Sequence, residues 1–186
     1  NNISVLLVRS ATTARAALID ACPSLKVIGR GGVGMDNIDV TYAREKGLNV
    51  INTPAASSSS VAELVFAHLF GGVRYLFDAN RNMPLDGDTR FKELKKNYAK
   101  GSELHGKTIG IIGFGRIGRE VAKIALGCGM KVIASDNYVD TADITLDFFD
   151  GQKVTIEVKT QPINDLIQQS DFITLHVPAQ KQYVIG

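Results

Sequence analysis

Gly113, Gly115 and Gly118 form the pattern G-x-G-x-x-G. Glycine has no Cβ, so such a turn can bring bare backbone amides against an anion. The pattern alone is weak, and its context gives it weight. It follows an apolar run, Thr108 to Gly113, that reads as a strand, and it opens a helix-spaced segment from Arg116 to Leu126. A second apolar run, Lys131 to Ser135, then ends at Asp136. An acid about 20 residues past the glycines completes the spacing of a dinucleotide-binding unit.

Each glycine has its own task. Gly113 permits the tight turn, Gly115 lets a diphosphate approach the backbone, and Gly118 lets the helix pack close to the strand. The N–H groups of the first helical turn, with the positive end of the helix dipole, hold the anion. Asp136 would accept hydrogen bonds from a ribose, and its charge would repel a 2′-phosphate. The pattern therefore predicts NAD in preference to NADP. Gly106-Lys107-Thr108 resembles the end of a phosphate loop, but it precedes a strand instead of opening a helix and is set aside.

A second glycine cluster, Arg30-Gly-Gly-Val-Gly34-Met-Asp-Asn-Ile-Asp39, follows another short strand. Consecutive amides there could hold a carboxylate. Arg9-Ser10 ends the preceding strand and Asn52-Thr53-Pro54 the following one. Three successive strand ends thus offer Arg9, Ser10, Arg30 and Asn52, side chains suited to anions and hydroxyls. A single arginine beside glycines would read equally well as a solvated turn. Three polar strand ends on one sheet edge point to a small-molecule substrate site.

The elements that must position these residues alternate strand and helix. Strands are expected at Ile3 to Val8, Leu25 to Gly29 and Leu48 to Ile51, with helices at Thr12 to Ala21 and Asp39 to Lys46. Ser60-Val-Ala-Glu63 fits a capping box opening a helix that runs to about Asn80, with Gly71-Gly72 as its weak point. Asn82 to Asp88, with Pro84 and Gly87, reads as a loop, and Phe91 to Lys100 as a lysine-rich helix. Alternation around Asp150-Gly151 predicts a β-hairpin over Asp143 to Lys159. A short helix at Pro162 to Gln169 and a strand at Phe172 to His176 follow. The expected division is 1–55 and 56–186, with a connecting helix and loop at 57–105. Short buried strands between helices imply α/β architecture with parallel sheets.

Composition narrows the function classes. The 186 residues carry a net charge of +2, with 45% hydrophobic and 22% charged residues. That balance excludes a disordered chain and gives no basic footprint for nucleic acid. The most apolar stretch, Val61 to Phe77, is broken by Glu63, His68 and Arg74, which argues against a membrane span. Cys22 and Cys128 stand alone, without the spacing of a disulfide frame or a metal site. With no signal peptide visible, a reduced, cytoplasmic protein without metal is expected.

The glycine blocks carry a resemblance. Val8 to Thr12, Gly29 to Asp39, Asn52 to Pro54 with Ser60 to Glu63, Gly106 to Gly118 and Asp171 to Pro178 resemble the D-isomer-specific 2-hydroxyacid dehydrogenases. The similarity covers nearly the whole chain and is strongest to the branch that oxidises 3-phospho-D-glycerate to 3-phosphohydroxypyruvate, the entry to serine synthesis. It implies an incomplete Rossmann-type doubly wound parallel sheet that binds NAD, plus part of a flavodoxin-like substrate domain. It assigns Arg9, Ser10, Arg30, Gly32 and Asn52 to the substrate site. Val33 and Ser58 match positions near the nicotinamide, and Arg116 and Ile117 contacts to the cofactor phosphates. Asp136 matches the ribose acid, and His176, Val177 and Pro178 a loop under the adenosine. Lys95, Lys96 or Lys100 matches a contact to the substrate phosphate of a dimer partner.

The resemblance also marks departures. The family's reaction uses an Arg to hold the carboxylate and a His oriented by a Glu as acid–base. These belong to later segments, so no catalytic residue is expected in this chain and the chain by itself is expected not to turn over. The first strand–helix unit of the substrate domain is also expected to be missing, and the hairpin is longer than the family leads one to expect. A homodimer is implied, through the cofactor domain and the helix after Ser60. Other members of the family, acting on glyoxylate, hydroxypyruvate or formate, and a non-catalytic NAD sensor of the same fold remain open alternatives.

Overall fold

The computed structural model describes residues 2–178. The chain divides into two compact units, Asn1–Ser58 and Ser59–Gly186. The first holds β1 (Val5–Val8), α1 (Ala16–Asp20), β2 (Val27–Arg30), α2 (Val40–Glu45) and β3 (Asn49–Asn52). Its strands run parallel in the order β1-β2-β3. Their register aligns Val8 with Arg30 and Arg30 with Asn52, so the polar strand ends lie side by side. Val8, Ile19, Leu25, Ile28, Ile38, Ala43 and Leu48 form the core beneath them.

Helix α1 is shorter than its periodicity predicts. The Ala14 amide donates to the Asn37 carbonyl, and the Asp39 amide donates to the Ala14 carbonyl. Backbone groups that a helix would use are thus committed to a neighbouring loop. Helix α2 follows expectation: Asp39 caps it by accepting from the Tyr42 amide at 3.2 Å, and Gly47 leaves it at φ +77°.

The second unit contains α3 (Ser58–Val73) from its second residue on, α4 (Leu76–Tyr98), β4 (Thr108–Ile112), α5 (Arg116–Gly127), β5 (Lys131–Ser135), β6 (Thr141–Asp147), β7 (Lys153–Lys159), α6 (Ile163–Gln169) and β8 (Phe172–Leu175). Its parallel sheet has the order β5-β4-β8. The core gathers Phe66, Leu104, Ile109, Ile111, Phe114, Val121 and Ala125.

The connecting region departs from the sequence expectation. Helix α3 begins at Ser58, so Ser60 lies inside its first turn and is not the cap. The break falls at Tyr75, which adopts the left-handed φ of +54°, and not at Gly71-Gly72. The expected loop at Asn82 to Asp88 is helical, with Pro84 inside α4 and the kink at Arg90. Pro84 lacks an amide to give the preceding turn, but tertiary contacts hold the segment. Helix α4 folds back at the kink, so that Asn82 donates to the Tyr98 hydroxyl at 3.1 Å and the Tyr75 and Tyr98 rings lie 6.3 Å apart. Arg90 ties the bend by pairing with Asp86 and Glu93 at 2.9 and 2.7 Å. Among the described residues no single helix is long and apolar enough to cross a membrane; α3 and α4 reach that length only as a pair bent by 55°.

The expected hairpin is present, with β6 and β7 antiparallel and Ile144 opposite Ile156. It is built into the unit. Ala142, Ile144 and Val158 enter the main core, and Thr160 bridges to Ala134 of β5. Ile144 is only 1% exposed. Ile144→Ala should therefore cost about 2–5 kcal/mol in urea unfolding. A loss under about 1 kcal/mol would make the hairpin a dispensable appendage.

Candidate functional site

Strand β4 lies between β5, which follows it in the chain, and β8, which returns to its other side, all three parallel. The chain order reverses there, and a parallel sheet opens a crevice at the carboxyl ends of such strands. Gly113 and Gly115 follow β4, Asp136 follows β5, and His176, Val177 and Pro178 follow β8. All six line one cleft of about 700 Å³. Ligand clefts commonly span roughly 300–1,000 Å³.

The three glycines differ in what a side chain would meet. Gly113 sits at φ +91°, and a Cβ there would approach the His176 carbonyl oxygen at 2.6 Å. A Cβ on Gly118 would collide with the Gly113 carbonyl oxygen and crowd Ile111. Gly115 has open space in the same direction. The first and third glycines thus let the chain pack on itself, and the second leaves a bare approach. Gly115 is also the N-cap of α5 and offers no side chain to the first-turn amides, which include those of Arg116, Ile117 and Gly118.

Asp136 is half-buried and engaged on both oxygens. Its Oδ2 accepts from the Phe114 amide at 2.6 Å and its Oδ1 from the Tyr138 amide at 2.8 Å. A carboxylate offers about four lone-pair sites, so capacity remains for two ribose hydroxyls. His176 Nε2 lies 3.0 Å from Thr174 Oγ1, and burial pushes its imidazole below the ordinary histidine value. His68 and His105 are exposed.

Part of the cleft wall was missed in the sequence. Asn137, Tyr138, Thr160, Gln161, Pro162 and Ile163 also line the cleft. Thr160 closes the hairpin, and its hydroxyl donates to the Val139 carbonyl at 2.7 Å. The return of the chain to β5 after a hairpin was the available signal, because a strand re-entering a sheet beside a ligand edge delivers its next residues there.

In the first unit the structure brings Arg9, Ser10, Arg30, Gly32 and Asn52 to one sheet edge. Arg30 Nη2 donates to Ser10 Oγ at 3.3 Å, and Arg30 Nε is buried with no hydrogen-bond partner. Asn52 Nδ2 donates to the Val33 carbonyl at 2.7 Å. Two amides of the glycine cluster are engaged within the turn: that of Gly31 donates to the Val8 carbonyl and that of Gly32 to Thr53 Oγ1. The tight turn needs those bonds for its own closure. Arg9 is exposed and Val33 lies in the turn after β2, while Ser58 is buried at the start of α3. Lys95 and Lys96 occupy the last turn of α4, with Lys100 just beyond.

Asn37 was also missed. It is 6% exposed, and its Nδ2 donates to the Arg9 and Thr12 carbonyls at 2.9 and 2.6 Å. It thus fixes the segment that presents Arg9 and Ser10. An asparagine inside a glycine cluster reads as a turn former from sequence, which hid this long-range tie. Among the described residues no group of three His, Cys, Asp or Glu side chains could hold a metal.

Gly118→Ala should lower stability by about 1–3 kcal/mol, whereas Gly115→Ala should leave the urea midpoint nearly unchanged. Equal effects would contradict the division of labour among the glycines. The lowered His176 value also fixes a pH dependence. The unfolded chain takes the proton more readily, so the stabilisation is full above the ordinary histidine value and is lost as pH falls through it toward the folded value. Unfolding midpoints should drop as pH falls through the ordinary histidine value of about 6.5. His176→Gln should flatten that drop, and an identical slope in both proteins would exclude His176 as its source.

Comparison with known proteins agrees with this geometry. Residues 1–176 match the D-isomer specific 2-hydroxyacid dehydrogenase catalytic domain. The chain is 43% identical to the hydroxypyruvate reductase of Thermotoga maritima over 176 residues, covering 95% of this chain and 52% of that protein. It is 41% identical to the D-3-phosphoglycerate dehydrogenase of Methanocaldococcus jannaschii, covering 98% of this chain and 32% of the relative. The chain thus spans about half or less of the length of these relatives. Among solved structures, the D-lactate dehydrogenase of Aquifex aeolicus, complexed with NAD and lactic acid, superposes with a TM-score of 0.67 at 32% identity, covering 96% of this chain and 49% of that one. The switch-point cleft, the glycine turn and the family match lead to one conclusion: the chain belongs to the D-isomer-specific 2-hydroxyacid dehydrogenases.

Proposed function

We propose that this chain binds NAD in the cleft of its second unit and serves the oxidation of a D-2-hydroxy acid in the whole protein. The observation that carries this reading is the meeting of an open Gly115, the α5 N-terminus and Asp136 at the reversal of the sheet order. A diphosphate fits against Gly115, where no side chain intrudes, and first-turn amides of α5 supply its donors. Asp136 retains acceptor capacity for the adenosine ribose. NAD in the related lactate dehydrogenase supports the same choice of ligand. The nicotinamide, when bound, supplies hydride exchange, and the protein supplies orientation.

The preferred substrate is 3-phospho-D-glycerate, oxidised to 3-phosphohydroxypyruvate. Arg9 and Arg30 bring two cations to one sheet edge, which suits a phosphorylated acid better than lactate. Ser10 and Asn52 offer hydroxyl-binding groups beside them. The phosphoglycerate dehydrogenase relative supports this choice. A second reading, reduction of hydroxypyruvate, is favoured by the Thermotoga maritima relative. Turnover of 3-phospho-D-glycerate, hydroxypyruvate and D-lactate by the whole protein separates these readings, and preference for lactate would refute the assignment. We also propose a homodimer, supported by Leu64, Phe70, Leu76 and Phe77 exposed on α3 and α4. The two free cysteines fit a cytoplasmic setting.

Calorimetry of the purified chain with NADH should show binding. Asp136→Ala should weaken NAD by about tenfold or more and reduce its preference over NADP. Unchanged affinity for both would remove Asp136 from the site.

A further inference from the structure

Asp136 touches more than the space a ribose would fill. Its Oδ2 accepts from the amide of Phe114, the residue between the first two glycines of the turn, at 2.6 Å. The Phe114 carbonyl in turn accepts from Arg119 Nε at 3.1 Å. The preceding Gly113 amide donates to the Ser135 carbonyl at 2.9 Å. The turn that leads into Gly115 is therefore pinned on both sides, and one pin is a carboxylate from the neighbouring strand. The other oxygen of the same carboxylate accepts from the amide of Tyr138, two residues on and also in the cleft lining.

We infer that Asp136 is a positioning residue for the diphosphate turn as well as the ribose acceptor. The inference rests on the dinucleotide reading above and deepens it. Hydrogen bonds to a charged acceptor are shorter and stronger than neutral ones, so the carboxylate restricts the peptide that precedes Gly115. Gly115 has no side chain to set its own backbone, and the Phe114 ring is fully buried, so the amide cannot turn to water without disturbing the core. Replacing Asp136 then removes two things together: the ribose contact and the fixed aim of the turn. A variant built to accept a 2′-phosphate would carry a turn penalty with either dinucleotide.

The test compares ADP with 2′,3′-dideoxy-ADP, which keeps the diphosphate and lacks the ribose hydroxyls, by calorimetry on the 186-residue chain. A ribose-only role leaves dideoxy-ADP binding to Asp136→Ala unchanged, or tightened by loss of a like charge. The positioning role weakens it by about tenfold. Amide exchange supplies a readout that a ribose-only role does not move. The Phe114 amide should exchange faster in Asp136→Ala, while Ile109 and Ile111 stay protected. Asp136→Asn, which keeps one acceptor oxygen, should lie between, and it carries the test should the alanine variant fail to fold. Unchanged dideoxy-ADP affinity with unchanged Phe114 exchange overturns the inference. Failure of the wild-type chain to bind ADP and NADH overturns the dinucleotide reading, and Phe114 exchange still decides whether Asp136 holds the turn.

Discussion

The close approach of α5 to the end of β4 is the constraint on which the second unit depends. At Gly118 the backbone comes so near the Gly113 carbonyl that no side chain fits. That approach sets the helix direction, and the helix direction sets where its unpaired amides point. The buried faces of Val121, Ala122 and Ala125 then complete the packing against Ile109 and Ile111. A single steric fact thus orders both the core and the anion-binding end of the site. The same arrangement leaves Gly115 bare, because the chain must pass the mouth of the cleft before the helix begins.

The hairpin takes part in this construction. Its inner face adds Ala142, Ile144 and Val158 to the core, and its closing residue Thr160 rejoins the sheet beside Ala134. The cleft is therefore walled on one side by the glycine turn and on another by residues that the hairpin delivers. Asp136 belongs to the same lining, and its carboxylate accepts from the Phe114 amide of the glycine turn and from the Tyr138 amide. An addition that reads as peripheral along the chain is part of the ligand edge in space.

The first unit follows a different logic. Its Gly31 and Gly32 amides close the turn on Val8 and Thr53, and Arg9 and Arg30 bring positive charge to this edge. Arg30 is oriented by Ser10, and Asn37 buries its amide to fix the loop that carries Arg9. The parallel register, which sets Val8, Arg30 and Asn52 abreast, is what turns three separated segments into one edge.

Most elements were legible because their signals are local. Apolar runs bounded by glycines marked the strands, and G-x-G-x-x-G with its distant acid marked the turn. Asp39 and Gly47 marked the ends of α2. The α4 segment misled because Pro84 and Gly87 are turn formers by local preference, while the contacts that keep it helical, Asn82 to Tyr98 and Tyr75 to Tyr98, span many residues. The part of Asn37 and the cleft wall at Thr160 and Gln161 were hidden for the same reason. Residue order alone determined the strand–turn–helix chemistry and the candidates at each strand end, since those depend on neighbours along the chain. Tertiary structure alone decided which amides are free, which carboxylate oxygens are already engaged and which distant segments share a wall, because each depends on partners that only folding brings within hydrogen-bond reach.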